Sequence, residues 1–390
     1  LFPYTTLFRS CRMPDKKIII AGGGTGGHIF PAIAIANALR QKEPDIDILF
    51  VGAKGKMEME KVPEAGDRIE GLDIAGFNRR SLFKNISLPF KLVKSFLQVR
   101  KIIADFKPDA VIGVGGYSSF PVLRYAQKRG IPSFIHESNS LAGKSNKLLG
   151  KEAVRIFTAT GGMEKYFPEE KIMVTGNPVR SAIAQAQVTR EEGIRFFGLN
   201  PEKITVLIVG GSLGAKSINE AIEQGAEKIV SRGLQLIWQT GKYVSRRPAE
   251  LMEEYKEIWA GPFISRMDCA YQAADLVVSR AGAMAIAELS VMKKPVIFVP
   301  YPFAAEDHQT VNAKHLVDKN AALLIRDSEA PARLTDSVIH LAGDAGKREE
   351  LKNNIAGLAV TSADERIAEA VLEEIDDAGK NIKEQKVKEA

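Results

Sequence analysis

Residues 17–38 read KIIIAGGGTGGHIFPAIAIANA, and the parsing of this stretch decides the fold. Ile18 to Ile20 are β-branched and make a short buried strand. Gly22, Gly23, Gly24, Thr25, Gly26 and Gly27 then form a loop almost without side chains. Beyond it Ile29, Ile33, Ala36 and Ala38 recur at roughly helical spacing, with Pro31 tolerated in the first turn. Strand, glycine loop and helix open a nucleotide-binding α/β unit. Glycine lets the backbone come close to a phosphate, and the N–H groups and dipole of a helix start favour negative charge. His28 stands at the mouth of the loop, where a titratable group can act on bound substrate.

Working outward, strands are expected at Ile46–Gly52, Asp109–Gly116, Ile131–Glu137, Val154–Ala159 and Lys171–Gly176. Their alternation with helical patterns predicts a parallel, doubly wound sheet. After Asn177-Pro178-Val179-Arg180 the design starts afresh. ITVLIVGGSLGAKSINEAI (204–222) repeats strand, glycine loop and helix, with further strands expected at 234–240, 261–264, 275–280 and 295–300. The fold class is therefore α/β, with two Rossmann-like doubly wound domains expected to face a cleft at a proline hinge. The tail from Ala363 is helical in pattern and becomes highly charged from Asp376.

The chain has 390 residues, enough for two full cores, and no apolar run of the length needed to span a bilayer. Its two cysteines, Cys11 and Cys269, supply neither a disulfide framework nor a zinc site, which fits a reducing cytoplasm. Residues 1–12 read as an assembly artefact, with Met13 the expected start. The net charge of +6 is unevenly spread: from Ile74 to Ala104 there is no acid, while Arg79, Arg80, Lys84, Lys91, Lys94, Arg100 and Lys101 are all basic. Leu82, Phe83, Ile86 and Phe90 are interleaved with them, a pattern suited to an anionic membrane surface. In the helix after Pro89, the residues Leu92, Val93, Phe96, Val99 and Ile103 are expected to face inward. No recognition motif for nucleic acid accompanies this charge.

Gly22, Gly24 and Gly27 satisfy G-x-G-x-x-G, but a dinucleotide site needs an acid at the end of the second strand. That strand ends Phe50-Val51-Gly52-Ala53-Lys54, which argues against an oxidoreductase. Asp45-Ile46-Asp47 spells the D-x-D of metal-dependent sugar transferases. It stands at a strand's start, however, whereas sites in open parallel sheets form beyond the carboxyl ends, so these aspartates read as solvated.

GGGTGGH, GVGGYSSFP, HESN, TGNPVR, GGSLGA, SRAGA followed by Glu288, and HQTVNA occur in that order between Lys16 and about Val371. In this the chain resembles the MurG family of bacterial glycosyltransferases. The resemblance implies a GT-B fold: residues 13–178 an acceptor and membrane-associating domain, 179–362 a UDP-GlcNAc-binding domain, and 363–390 a helix and charged tail returning to the first domain. It implies inverting transfer of N-acetylglucosamine from UDP-GlcNAc to the 4-hydroxyl of undecaprenyl-diphospho-MurNAc-pentapeptide, turning lipid I into lipid II. The implied place is peripheral, on the cytoplasmic face of the cell membrane, with cell-wall synthesis or division proteins as partners. No cofactor and no metal is required.

The resemblance also assigns residues. Donor contacts fall on Thr25, Gly26, Gly27, Asn139, Arg180, Ser212, Ala283, Met284, Glu288 and Gln309, with Asn312 in the segment holding the sugar hydroxyls. Ile264 matches the position whose backbone reads uracil, and Glu288 the carboxylate that accepts both ribose hydroxyls. The acceptor diphosphate falls on Gly26, Gly27, Gly115, Gly116, Tyr117 and Ser118. His28 is the candidate general base, since imidazole titrates near neutral pH; a phosphate-binding or structural imidazole is its rival, and Glu137 the alternative base. Where the family usually carries a hydroxyl, three residues before Glu288, this chain has Ala285, which removes one donor hydrogen bond. Other readings are a diacylglycerol glycosyltransferase of the same architecture or a UDP-GlcNAc 2-epimerase.

Overall fold

The computed structural model describes residues 16–76, 88–211, 213–304 and 307–389. Strands β1 (Lys17–Ala21), β2 (Asp47–Ala53), β3 (Arg68–Leu72), β4 (Ala110–Gly113), β5 (Ser133–Glu137), β6 (Arg155–Thr158) and β7 (Ile172–Val174) form one sheet. Its order is β3-β2-β1-β4-β5-β6-β7. Strands β8 (Thr205–Val209), β9 (Gln235–Gln239), β10 (Ile258–Gly261), β11 (Leu276–Ser279), β12 (Val296–Phe298) and β13 (Leu323–Leu324) form a second, ordered β10-β9-β8-β11-β12-β13. β1 is paired in parallel with both β2 and β4, with Ile20 opposite Phe50 on one side and Ile112 on the other. In the second sheet β8 is likewise parallel to β9 and β11. Two parallel-sheet α/β domains of the GT-B type result.

The chain divides into two compact units. One holds the described residues to 136 with 144–156 and those from 365 onward; the other holds 137–143 and 157–364. In the first, Ile18, Ile19, Ile20, Ile112 and Phe134 are fully buried between helices. The second has two apolar layers, one centred on Trp238 and Ile208, the other on Phe298 and Ile237. The last helix, Ala363–Glu389, joins the first unit through buried Ile367, Ala368 and Val371. Ion pairs Lys42–Glu369 at 3.0 Å and Arg155–Glu374 at 2.7 Å hold it there.

Three features depart from expectation. The strand placed at 261–264 lies at Ile258–Gly261 instead. Pro262 lacks the N–H needed to extend the ladder, so the apolar Phe263 and Ile264 fall in the following loop. β3 and β13 escape a pattern search because they are short and only half-buried at the sheet edges. On the helix Leu88–Phe106 the inner face is Ser95, Val99 and Ile103, whereas Leu92 and Val93 point outward. The helix packs against β3 and the helix Ser119–Lys128, and its buried residues begin at Ser95.

In each sheet the strand order reverses direction beside the first strand of its unit, where connections leave to opposite faces and open a crevice. In the first sheet this brings the loops after β1 and β4 into contact. A Cβ on Gly22 would lie 2.3 Å from Val114 Cγ2, and one on Gly116 2.4 Å from the Gly23 carbonyl oxygen. Gly116 also has φ +84°, a region disfavoured for L side chains. Gly116→Ala is expected to cost about 1–3 kcal/mol of stability in urea unfolding. A loss below ~0.5 kcal/mol would show that the two loops do not approach as described.

Candidate active site

In the first unit the site is built on two loops. Thr25 precedes the helix Gly26–Lys42 without a side-chain cap, and the first turn carries no acid. A helix start left uncapped and free of acidic side chains is suited to an anion. The His28 ring lies against Gly115, where an added Cβ would come within 2.8 Å of Nε2. His28 Nδ1 is 3.0 Å from the Gly23 carbonyl oxygen. A carbonyl only accepts, so this contact calls for the proton on Nδ1, the nitrogen that also stands 3.4 Å from Thr25 Oγ1. An imidazole protonated on Nδ1 would present its lone pair on Nε2. The second loop contributes Gly115 and Gly116 at positive φ, with Ser119 Oγ donating to the Gly116 carbonyl at 2.8 Å. Ser118 is buried, and Tyr117 leans over Gly24. Burial, and then the negative charge of Glu58, push the Tyr117 phenol up, so it stays a hydroxyl.

Glu58 was not among the expected residues. It is 1% exposed and accepts from the N–H of Gly24 and of Ala53, each at 2.9 Å. It stands in no glycine motif, and a single Glu on a short helix, Glu58–Glu64, gives no sequence signal. Asp47, at the start of β2, pairs with Arg68, and Asp45 is exposed.

In the second unit a charged cluster stands out. Arg180 Nε donates to Glu288 Oε1 at 2.8 Å, and the Tyr271 hydroxyl donates to Glu288 Oε2 at 3.0 Å. Glu288 is 6% exposed, on the helix Ala283–Val291. Burial would lower the Arg180 pKa, but the adjoining Glu288 carboxylate outweighs it and the guanidinium is raised above its ordinary value. Burial, then Glu288, drives the Tyr271 phenol well upward. Both therefore remain donors to the carboxylate. Tyr271, like Glu58, was missed: on the helix Met267–Ala273 it reads as an ordinary core aromatic.

The remaining expected residues of this unit are held at several separate places. Glu137 accepts from Asn139 N at 3.1 Å, Asn139 Nδ2 at 3.3 Å and Gly143 N at 3.0 Å, so its carboxylate organises the turn after β5. Asn312 ties into that turn, with Oδ1 accepting from Ser140 N at 3.2 Å and Nδ2 donating to Asn139 Oδ1 at 3.3 Å. Ala283 lines a cavity of about 350 Å³ beside Asn312, with Asn177, Ile286 and His315. Met284 is buried on another side of its helix. Ile264 donates its N–H to Gln239 Oε1 at 3.1 Å, and Gln309 Oε1 accepts from Tyr301 N at 2.9 Å. Ser212 lies outside the described residues, as do Arg79, Arg80, Leu82, Phe83, Lys84 and Ile86.

Comparison with known proteins matches the glycosyltransferase family 28 N-terminal domain to residues 18–158 and its C-terminal domain to 205–369. A Phocaeicola vulgatus protein named UDP-N-acetylglucosamine–N-acetylmuramyl-(pentapeptide) pyrophosphoryl-undecaprenol N-acetylglucosamine transferase is 52% identical, over 92% of this chain and 96% of its own. A protein of the same name from Parabacteroides distasonis is 49% identical, over 93% of this chain and all of its own. Among solved structures, that of Acinetobacter baumannii MurG superposes with a TM-score of 0.73 at 28% identity, over 92% of this chain and 99% of that one.

Tyr271→Phe removes a hydrogen bond to a buried carboxylate and is expected to cost about 1.5–3 kcal/mol in urea unfolding. An unchanged midpoint and slope would mean that the phenol does not hold Glu288.

Proposed function

The chain belongs to glycosyltransferase family 28, and from that premise we propose that it transfers N-acetylglucosamine from UDP-GlcNAc to undecaprenyl-diphospho-MurNAc-pentapeptide, making lipid II from lipid I. The observation that carries this reading is near-full-length likeness to enzymes named for that reaction. In it residues 13–178 take the acceptor, 179–362 the sugar nucleotide, and 363–390 form a supporting helix and tail.

The acceptor 4-hydroxyl attacks C1 of the donor sugar, the bond from C1 to the diphosphate oxygen breaks, and UDP leaves as the configuration inverts. The hydroxyl proton passes to His28 Nε2, for which the Nδ1–H···O=C bond of Gly23 prepares the ring. General-base catalysis of this kind contributes about 10²–10⁴-fold. Glu137, already surrounded by three backbone and amide donors, holds the turn that carries Asn139. The uncapped helix start at Gly26 and Gly27, with Gly115, Gly116, Tyr117 and Ser118, receives the lipid diphosphate. Glu288 accepts the ribose hydroxyls on the lone pairs left beside Arg180 and Tyr271, and Arg180 balances its charge. Thr25, Ser212, Ile264, Ala283, Met284 and Gln309 complete the donor contacts.

Purified protein should release UDP from UDP-GlcNAc only when a lipid I analogue is present, and His28→Gln should slow this by about 10²–10⁴-fold. UDP release with diacylglycerol but not the analogue, or formation of ManNAc without an acceptor, would overturn the reading.

We also propose peripheral binding to an anionic membrane on the cytoplasmic side, where the acceptor's lipid resides. Among the described residues no helix is long and apolar enough to cross a bilayer. The helix Leu88–Phe106 leaves Phe90 78%, Val93 62% and Leu97 62% exposed, on a stripe flanked by Lys91, Lys94, Arg100 and Lys101. Leu82, Phe83, Ile86, Arg79, Arg80 and Lys84 immediately precede it and belong to the same reading. Phe90→Asp with Val93→Asp is expected to abolish flotation with vesicles containing anionic lipid while leaving the fold intact. Undiminished flotation would remove this helix from the membrane contact.

A further inference from the structure

The Gly23–Gly24 peptide group is gripped from both sides. Its N–H, on Gly24, donates to Glu58 Oε2 at 2.9 Å, and its carbonyl, on Gly23, accepts from His28 Nδ1 at 3.0 Å. The other carboxylate oxygen of Glu58 is anchored by the Ala53 N–H at 2.9 Å, at the end of β2. No Lys or Arg pairs with this carboxylate among the described residues, so its charge is met by backbone donors. The packing leaves it little choice of position. An added Cβ on Gly23 would come within 2.3 Å of the Glu58 carboxyl group, and one on Gly52 within 2.5 Å of its Cγ.

We propose that Glu58 is a positioning residue for catalysis, acting on His28 through this one peptide group. This rests on the reading of His28 as the general base. The carboxylate fixes the plane of the Gly23–Gly24 peptide and polarises it, because an N–H bound to an anion makes the carbonyl of the same peptide a stronger acceptor. That carbonyl then holds the proton on Nδ1 and leaves the lone pair on Nε2. A carboxylate elsewhere bonded directly to histidine does the same work; here a backbone amide stands between the two. Glu58 also turns the Gly24 N–H inward, so the loop's donors toward an anion are those from Thr25 onward. A negative charge can thus lie beneath an anion-binding loop without occupying its mouth.

The test uses the full chain labelled with ¹⁵N-histidine, at about pH 8.5, where an ordinary imidazole is neutral. His28→Gln identifies the His28 signals among those of the five histidines. Wild-type His28 is expected to show a protonated Nδ1 and an unprotonated Nε2. In Glu58→Gln the amide offers one acceptor where two donors converge, and the Nδ1–H form is expected to give way to a mixture of tautomers. Turnover with a lipid I analogue is expected to fall about 10²-fold, the scale of a misplaced catalytic group. The KM for UDP-GlcNAc is expected to change much less than kcat, because the Gly23–Gly24 peptide acts on the imidazole while most donor contacts lie elsewhere. A wild-type His28 protonated on Nε2 overturns the proposal without any variant, so it survives a Glu58→Gln protein that fails to fold. A Glu58→Gln protein with an unchanged tautomer overturns it whether or not turnover falls. The tautomer is read without turnover, so absence of any transfer by the wild type would count against the proposed function alone.

Discussion

Two stretches of main chain, 22–24 and 114–116, lie in contact, with the Val114 side chain against Gly22 and bare glycine elsewhere, and the first unit is arranged around that contact. It exists because β1 and β4 are neighbours in a parallel sheet and their following loops leave from the same end. A methyl group on Gly22 or Gly116 would separate the loops. The approach lets the Gly23 N–H reach the Gly115 carbonyl at 3.4 Å and seats the His28 ring on the bare face of Gly115. The position of this imidazole is a consequence of backbone packing, which holds it more firmly than a mobile surface loop does.

The second unit meets the same topology with different chemistry. Its loops after β8 and β9 also touch, for a Cβ on Gly214 would fall 2.3 Å from the Thr240 carbonyl oxygen. Its polar centre, however, is a buried carboxylate held by a guanidinium and a phenol. Neutral N–H groups suit a diphosphate that arrives already charged, and a carboxylate suits sugar hydroxyls that need strong acceptors. Each unit places that chemistry at the carboxyl edge of its sheet, where the strand order turns.

Much of this was legible in the chain. Runs of Ile and Val bounded by glycine mark the central strands because a strand buried on both faces must be continuously apolar. The glycine clusters mark the loops because bulkier residues are excluded by the close approaches just described. Edge strands β3 and β13 were not legible, since half-exposed residues carry no such constraint. The inner face of the helix Leu88–Phe106 was misread for a related reason: amphipathic spacing says which residues share a face, but not how far along the helix a neighbour extends to cover it.

By itself the sequence determined two repeated strand–glycine–helix units, the family they belong to and the stretches that carry its chemistry, all properties of local pattern and order. Tertiary structure alone decided the roles of Glu58 and Tyr271. Each is unremarkable in its own segment and acquires meaning from a partner far along the chain, Gly24 in one case and Glu288 in the other. It also set what faces Nδ1 of His28. That depends on a carbonyl five residues away being turned toward the ring, which side-chain identity cannot specify and a packed loop can.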